Sequence, residues 1–402
     1  MSDWPVKPLV EVCEINPRRP RNHDLADEQL VSFVPMAAVD EVSGRIAEGQ
    51  SRTFGEVRKG YTHFRDGDVL FAKITPCMEN GKAAIANNLI GGYGFGSTEF
   101  HVLRPRPQVM AEWLFYFVRQ QSFRAHAKQN FTGTAGQQRV PTTFMSSAAI
   151  PLPPLPEQRR IVDILSRAEG IVRLRREAQR KAAELIPGIF LDMFGDPVTN
   201  PKGWPEHRLG DIAEVVSGVT KGRKFGERET VEVPYLRVAN VQAGHIDLSV
   251  VKTIEVLPKE VEQLALQRGD VVLTEGGDFD KLGRGALWEH DIVNCIHQNH
   301  VFRVRLVRSA ALPEFFVTYL QARKAREYFL RSAKRTTNLA SINMTQLRAL
   351  PVVLPSLDAQ HEFVEHFNAT RSIQSQQSAA TAKAEATFAS LLAWVFSSKE
   401  NL

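Results

Sequence analysis

The sequence has few cysteines and lacks the long apolar runs of a membrane protein. Its three cysteines, Cys13, Cys77 and Cys295, form no Cys-x-x-Cys pair, which argues against both a disulfide framework and a zinc site. No stretch reaches about 18 consecutive apolar residues, the length that a bilayer-spanning helix needs. The start, MSDWPVKPL, lacks the charged-then-apolar pattern of a secretory signal. We therefore expect a cytoplasmic protein without a membrane segment.

Motifs of common catalytic chemistry are also missing. There is no G-x-x-x-x-G-K-[ST] loop for a nucleoside triphosphate, and GGYGFG (residues 91–96) lacks the required spacing and following helix. The Gly-rich cofactor turn and the Asn/Asp-Pro-Pro-aromatic motif of a methyltransferase are absent. In HEFVEH, His361 and His366 are five residues apart, so their rings would lie on different helix faces. We expect no catalytic residue, no metal and no cofactor, and hence a chain that is not an enzyme by itself.

What the sequence does contain is ordinary in composition. Its 402 residues are enough for two or more domains, and 43% hydrophobic with 24% charged residues is typical of a globular protein. The net charge of +5 and the isoelectric point near 9.1 favour a polyanionic partner, but only weakly.

The chain is an internal duplication with an offset of 199 to 202 residues. Trp4 matches Trp204, DGDVLFAKI matches RGDVVLTEG, ENGKAA matches LGRGA, and STEFHVLRP matches QNHVFRVRL. Short β-prone runs (VSFVPMAAV, GDVLFAKI, KAAIA and TEFHVLRP) are followed by helical patterns over residues 112–129 and 313–332. A period this long indicates a duplicated module, composed of a globular domain and a helix, rather than a solenoid.

Each copy ends in a long stretch that predicts a helix. With Ile161 at heptad position a, the a positions are Ile161, Ala168, Arg175, Ala182 and Ile189, and the d positions are Ile164, Ile171, Ala178, Leu185 and Asp192. The second stretch has a seam of Phe363, Phe367, Ile373, Ala380, Ala384, Leu391 and Val395. Narrow apolar seams of this kind predict that the two helices pair with each other, and antiparallel pairing would place the two domains at opposite ends of a rod. The Pro187-Gly188 pair is a point where the first helix could kink or stop.

These motifs together resemble one protein family. PLPPLPEQRRIVDIL, the F-x-x-M-F-G-D-P end of the first helix, EGGDFDKLGRGA, ITPCMENGKAA and GSTEFHVLRP are similar to the specificity subunits of type I restriction–modification systems. The resemblance covers essentially the whole chain. It implies an α+β fold with two pseudo-symmetric mixed α/β globular target recognition domains, residues 1–150 and 196–350, joined by a pair of long antiparallel coiled-coil helices, residues 151–195 and 351–402.

The resemblance also implies a function. Each domain would recognise one half of a bipartite double-stranded DNA sequence, and the helices would set the spacing. The helices would also dock two modification (methyltransferase) subunits, with restriction subunits joining the complex in defence against foreign DNA. The alternatives are a DNA-modifying or DNA-cleaving enzyme of a related defence system, and a coiled-coil scaffold that binds proteins.

The candidate DNA-binding residues are polar side chains at the loops of the two copies. Lys and Arg suit guanine edges and phosphates, and Asn and Gln suit adenine. The first copy supplies Lys73, Thr75, Asn80, Lys82, Ser97, Thr98, Glu99, Gln137, Gln138 and Arg139. The second copy supplies Asp278, Asp280, Lys281, Arg284, Gln298, Asn299, His300, Lys334 and Arg335.

Their individual roles are open at this point. Gln137, Gln138, Arg139, Lys334 and Arg335 are candidates for phosphate contacts. Asp278 and Asp280 would accept from a base amine, orient a neighbouring side chain, or only shape a turn. The runs at 97–99 and 297–300 would present base-recognising side chains or simply start a strand. Glycines 276, 277, 283 and 285 would let the backbone approach another surface closely.

Overall fold

The computed structural model describes residues 4–19, 25–47, 49–134, 136–277, 282–335 and 340–397. The chain divides into two compact units: the first is Met1–Ala178 with Gln377–Leu402, and the second is Gln179–Gln376. Each unit therefore contains one globular part and one half of each long helix. No helix of the described residues is long and apolar enough to cross a membrane.

The elements follow the duplication along the chain. The first copy contains β1 Val6–Pro8, α1 Leu9–Val12, β2 Cys13–Ile15, β3 Leu30–Val34, β4 Gln50–Thr53, α2 Phe54–Val57, β5 Thr62–Arg65, β6 Val69–Ala72, β7 Ala83–Ile85, β8 Tyr93–Gly96, β9 Phe100–Pro105, α3 Ala111–Arg119, α4 Gln121–Gln129, α5 Thr142–Ser147, β10 Ala149–Pro151 and α6 Leu155–Phe194. The second contains β11 Glu206–Arg208, α7 Leu209–Ile212, β12 Ala213–Ser217, β13 Val231–Leu236, β14 Lys252–Val256, α8 Pro258–Leu264, β15 Val271–Thr274, β16 Gly276–Gly277, β17 Gly285–Leu287, β18 Ile296–His297, β19 Val301–Leu306, α9 Pro313–Tyr319, α10 Arg323–Ser332, β20 Lys334–Arg335, β21 Ala340–Ser341, α11 Met344–Arg348, β22 Pro351–Val353 and α12 Leu357–Phe396. Short 3-10 turns lie at Met36–Ala38, Ile90–Gly92 and Val238–Asn240.

The two copies have the same topology in their central sheet and differ in the number of strands of a second sheet. The central antiparallel sheet has the order β2-β9-β6-β7 in the first unit and β12-β19-β15-β17 in the second. A second sheet has the order β4-β3-β8-β5 and β14-β13-β18, with the β3–β8 and β13–β18 pairs parallel. In each unit the first and last short strands pair, β1 with β10 and β11 with β22, which the sequence patterns did not indicate.

The strand patterns predicted from the four β-prone runs are confirmed by β3, β6, β7 and β9. The two predicted globular helices are each interrupted. The first breaks at Gln120, which has an extended backbone (φ −63°, ψ 146°), and the second breaks between Tyr319 and Arg323. An amphipathic pattern persists across such a break, because both short helices bury their apolar faces in the same core.

The central strands β6 and β15 are buried along their whole length and form the floor of each core. All four residues of β6 and of β15 are buried. The ends of the long helices complete the two cores with aromatic rings. Phe396 at the end of α12 packs on Trp113 in the first unit, with ring centroids 4.7 Å apart. Phe194 at the end of α6 packs on Phe315 in the second, with centroids 5.2 Å apart. Each such ring buries a large apolar area, so both helices stabilise the units in which they end.

The long helices pair antiparallel within each unit. In the first unit, Ile161 and Leu165 share a core cluster with Leu392 and Val395. Further along α6, Arg176 pairs with Glu385, with Nε and Oε1 2.6 Å apart. The numbering rises along one helix while it falls along the other, so the pairing is antiparallel.

The same holds in the second unit, where Phe190 and Phe194 cluster with Phe363 and Phe367. The Gln374 amide also donates to the Ala182 carbonyl at 2.7 Å. The predicted fold class, with two mixed domains and two long antiparallel helices, is confirmed.

One row of the predicted seam is wrong. The d-position residues Ile164 and Ile171 are 42% and 54% exposed, while Leu165 and Val172 are buried. Leu185 and, on α12, Ile373 are exposed as well. The first helix runs unbroken from Leu155 to Phe194 and contains Pro187, so it does not stop there.

The middle of the seam is polar. Thr370 and Thr381 are buried in α12, and Thr381 donates its hydroxyl to the Gln377 carbonyl one turn earlier at 2.8 Å. A hydrophobic pattern cannot detect such positions. Buried hydroxyl and amide groups are tolerated there because they find hydrogen-bond partners on the helices.

Candidate nucleic-acid interface

Three separate stretches of the first unit meet where the central strand β6 ends. The Lys73 amide donates to the Glu99 carbonyl at 2.9 Å, and the Val140 amide donates to the Lys73 carbonyl at 2.9 Å. The Thr75 amide donates to the Gln138 carbonyl at 3.0 Å. Backbone bonds on a buried strand fix these positions firmly. We call the group they assemble the first polar edge: Lys73, Thr75, Ser97, Thr98, Glu99, Gln137, Gln138 and Arg139.

The charges of the first polar edge are partly compensated. Arg139 holds the Glu99 carboxylate by two bonds of 2.9 Å, from Nε and Nη2. Hydrogen bonds from Arg139, and secondarily the charges of Arg139 and Lys73, keep the pKa of Glu99 below its ordinary value. Within the described part of the chain, the Lys73 ammonium forms neither a hydrogen bond nor an ion pair. The edge therefore presents one cation that is not neutralised by a direct partner.

Asn80 and Lys82 belong to the same loop but face another stretch. The Asn80 amide donates to Glu41 Oε2 at 3.3 Å, and the Lys82 ammonium donates to the Met36 carbonyl at 3.4 Å. The structure thus separates these two candidates from the first polar edge. Lys82 is half-buried, and its positive charge interacts electrostatically with the Asp40 carboxylate.

The second unit builds a corresponding edge at the end of β15. The Glu275 amide donates to the His300 carbonyl, and the Ile342 amide donates to the Glu275 carbonyl, both at 2.9 Å. His300 Nδ1 lies 2.6 Å from Glu275 Oε2. We call Glu275, Gln298, Asn299, His300, Lys334 and Ser341 the second polar edge. Glu275 and Ser341 were not predicted from the sequence, although Glu275 stands 202 residues after Lys73.

Glycine allows this second edge to form. A Cβ at Gly276 would lie 2.7 Å from the Ala340 carbonyl oxygen, which is too close for any side chain. The close approach expected of this glycine is therefore to the chain's own strand β21.

Arg284 lies beside a cavity of the second unit. Its Nη1 donates to Gln242 Oε1 at 2.7 Å, and the cavity of 400 Å³ is also lined by His245, Gln321 and Arg326. Arg284 matches Lys82 in the duplication. Asp278, Asp280 and Lys281, which precede Arg284, lie outside the described residues, as does the side chain of Arg335.

One histidine of the run 297–300 is unavailable to a ligand. His297 is fully buried, and its Nδ1 lies 2.6 Å from the Val301 carbonyl oxygen. Burial lowers its pKa to about 4. His297 is therefore a core residue, whereas His300 remains exposed.

The described residues contain no group of three or more His, Cys, Asp or Glu side chains that could hold a metal ion. Both clusters of candidates are instead made of donors and acceptors suited to hydrogen bonding. Arg, Lys, Asn, Gln, Ser and Thr at strand ends are the side chains that contact bases and phosphates.

Comparisons with known proteins agree with this interpretation. A family model described as "Type I restriction modification DNA specificity domain" matches residues 1–183 and again 201–380. The chain is 41% identical over 165 residues to the EcoEI specificity subunit of Escherichia coli and 41% identical over 160 residues to the EcoAI specificity subunit of the same species. These segments cover 41% and 40% of this chain, but only 27% of each relative.

The fold has a counterpart among solved structures. A chain from a study of complex assembly and conformational transition in a type I restriction–modification system matches with a TM-score of 0.62 at 22% identity. The match covers 97% of this chain and 96% of that one, which supports the fold over the whole length.

Proposed function

Because the chain belongs to the family of type I restriction–modification DNA specificity proteins, we propose that it is the non-catalytic subunit that selects the DNA sequence. Each globular domain recognises one half of a bipartite double-stranded target. We propose domain limits of residues 1–150 and 196–350, with spacer helices at 151–195 and 351–402. A protein that acts on cellular DNA in a bacterium or archaeon would work in the cytoplasm.

The observation that carries this proposal is that the two units have the same backbone arrangement but different side chains on their polar edges. Both units place a polar edge at the end of the same central strand, held by the same backbone bonds. The side chains on these edges differ, with Lys73 in one and Glu275 in the other. Equal scaffolds with unequal hydrogen-bonding groups suit a target whose two halves have different sequences.

The outward faces of the long helices support docking of partner subunits. Ile164, Ile171 and Leu174 expose large apolar side chains on α6, and Trp394 is 63% exposed near the end of α12. Apolar side chains aligned at helical spacing are typical of a surface that another helix covers. We propose that two modification subunits bind these faces, and that restriction subunits join the complex through them.

Long-read methylation mapping is the direct test. The chain would be expressed with its modification partner in cells, and the modified positions of the DNA would be mapped. We expect one bipartite motif with an unspecified spacer. Methylation at a continuous short motif, or methylation or cleavage by the purified chain alone, would contradict the proposal.

A matched insertion tests the proposed role of the helices as a spacer. Four extra residues in both helices, within residues 165–180 and 367–382, add about 6 Å of helix. Base pairs are about 3.4 Å apart, so the unspecified spacer should lengthen by one or two pairs while both half-sites stay the same. An unchanged spacer would mean that the partner subunits set the separation.

A further inference from the structure

We infer, on the basis of the proposed DNA recognition, that the residue directly after each central strand determines specificity in its half-site. In the first unit this residue is Lys73 and in the second it is Glu275. The two side chains carry opposite charge, and we assign them opposite targets. Lys73 recognises a base acceptor such as the O6 and N7 of guanine, and Glu275 recognises a base amino donor such as the N4 of cytosine.

The backbone around the two positions is the same. In the first unit Ala72 pairs with Phe100, so Lys73 follows the last pair of the sheet and bonds to Glu99. In the second unit Thr274 pairs with Val301, so Glu275 follows the last pair and bonds to His300. In each unit a third segment of the chain pairs with the residues around this position.

That third segment has the same register in the two units. Ile74 forms a bridge with Arg139, and Gly276 pairs with Ser341, each at an offset of 202 residues. The Lys73 and Glu275 carbonyls each accept one bond from it, at 2.9 Å in both cases. The two side chains therefore start from equivalent, rigid points.

The neighbours of the two points also differ. In the first unit Arg139 neutralises Glu99 through two bonds of 2.9 Å, so the charge of Lys73 remains. In the second unit Ser341 occupies the place of Arg139, and His300 occupies the place of Glu99. His300 bonds to one carboxylate oxygen of Glu275 and orients the group. The second oxygen can accept further hydrogen bonds, because a carboxylate has about four lone-pair sites.

Folding alone does not explain this reversal. The Glu275 and His300 side chains are 30% and 54% exposed, and an exposed ion pair contributes only about 0–1 kcal/mol to stability. One buried charged position keeps the same residue in both units instead, as Asp68 and Asp270 show. A partly exposed, rigid position that changes charge between two copies is suited to contacting whatever differs between the two ligand halves.

Base chemistry then selects the targets. A carboxylate beside DNA is repelled by phosphates, and it is favourable only where a base amine donates to it. A lysine has three donors and no acceptor, so it pairs with the acceptors of guanine. The proposal therefore predicts an amine-bearing base facing Glu275 and an acceptor-rich base facing Lys73.

Selection from a library of randomised DNA duplexes tests this assignment. The full chain would be used with its modification partner, as wild type and as the variants K73E and E275K. We expect E275K to change the preferred base at one position of one half-site from cytosine to guanine, by about 10- to 100-fold in relative binding. The other half-site should remain unchanged, and K73E should produce the opposite change there.

A charge reversal elsewhere in the unit provides the control. Arg268 and Asp291 form an exposed ion pair at the opposite end of β15, and the double variant R268D/D291R should leave both half-sites unchanged. E275Q, which keeps the shape of the side chain, should weaken the cytosine preference even if E275K does not fold.

Two results would contradict the assignment of Lys73 and Glu275, and they have different consequences for the proposed function. Unchanged half-sites in folded E275K and K73E would overturn this inference while leaving the proposed function intact. No enriched sequence with the wild type would overturn the proposed function itself, and the inference with it.

Discussion

The two units have the same buried ion pair and different polar edges. In the first unit Asp68 is 1% exposed and accepts two bonds from Arg104, at 2.9 and 2.7 Å. In the second Asp270 is also 1% exposed and accepts two bonds from Arg305, at 2.7 and 2.8 Å. These four residues lie at equivalent places of the duplication. A few residues further along, directly after β6 and β15, Lys73 of the first unit corresponds to Glu275 of the second, and the charge is reversed.

The difference shows where physical constraint acts in this molecule. A buried charge that loses its partner is strongly destabilising, so both halves of the buried pair stay together in each copy. A partly exposed ion pair is screened by water and contributes about 0–1 kcal/mol, so its residues can change at little cost to folding. The need for stability keeps the buried ion pair the same in both units, whereas the ligand determines which side chains the polar edges carry.

The largest expected effect is on the shared buried pair. Asp68→Ala and Asp270→Ala each leave an arginine without its partner, and each should destabilise its own unit by about 3–5 kcal/mol. Chemical denaturation measures the loss, and hydrogen exchange shows which unit opens. Asp291→Ala, which removes one partner of the exposed pair with Arg268, should change stability by less than about 0.5 kcal/mol. Similar costs for the three variants would show that burial does not determine the framework.

A smaller effect is expected at the start of the long helices. Gln158 is fully buried, accepts from the Met110 amide at 2.9 Å, and donates to the Gln108 and Pro153 carbonyls at 2.9 and 2.8 Å. Gln360 makes the corresponding three bonds in the second unit. Replacing either glutamine with alanine leaves buried polar groups without partners and should cost about 2–3 kcal/mol.

The control for these glutamines is Gln377→Ala on α12. This half-buried side chain accepts one long bond of 3.4 Å from Arg175. Gln377→Ala should lower the free energy of unfolding by less than the alanine variants of Gln158 or Gln360 in the same denaturation experiment. If the two buried glutamines behave differently from each other, their equivalence in the duplication does not extend to energetics.

The comparison between the two units can be sharpened with variants of Lys82 and Arg284, an equivalent pair that lies outside the two polar edges. Lys82→Ala and Arg284→Ala should each relax recognition in one half-site only, by about 1–3 kcal/mol of discrimination. Duplex binding to targets with one altered half measures the effect. Arg268→Ala serves as the exposed control. Equal weakening on random DNA would instead identify the varied residue as a phosphate contact.

Much of the fold was predictable because the same sequence patterns occur in both copies of the duplication. The match of GDVLFAKI to GDVVLTEG indicated two equivalent strands, and β6 and β15 confirm them. Gln158 and Gln360 stand 202 residues apart, the offset of the duplication, and both have the same three bonds. The DNA-binding assignments stay predictions, since no ligand contact distinguishes the residues. Glu275 was missed although Lys73, its counterpart in the duplication, was a candidate.

The helix seam shows why pattern analysis failed in detail. Ile164 and Leu165 are adjacent and both apolar, so a heptad count cannot decide which of them faces the partner helix. The structure buries Leu165 and exposes Ile164. The first helix has more apolar residues than one seam can use, and the buried polar residue Thr381 in the opposite seam is invisible to a hydrophobic pattern.

The smallest effect on the folded chain is expected from the exposed row of the first helix. The double variant Ile164→Asp with Ile171→Asp should leave the free energy of unfolding of the chain within about 0.5 kcal/mol per site, because both side chains already contact water. The neighbouring Leu165→Asp is the matched control, and it should unfold the helix pair, since Leu165 is fully buried in the first core. Association with the modification subunits, measured by titration, should weaken strongly in the double variant, because a charge on the apolar face would be buried in the complex. Normal association would show that the partners bind another face, and a large loss of stability would show that this row supports the fold after all.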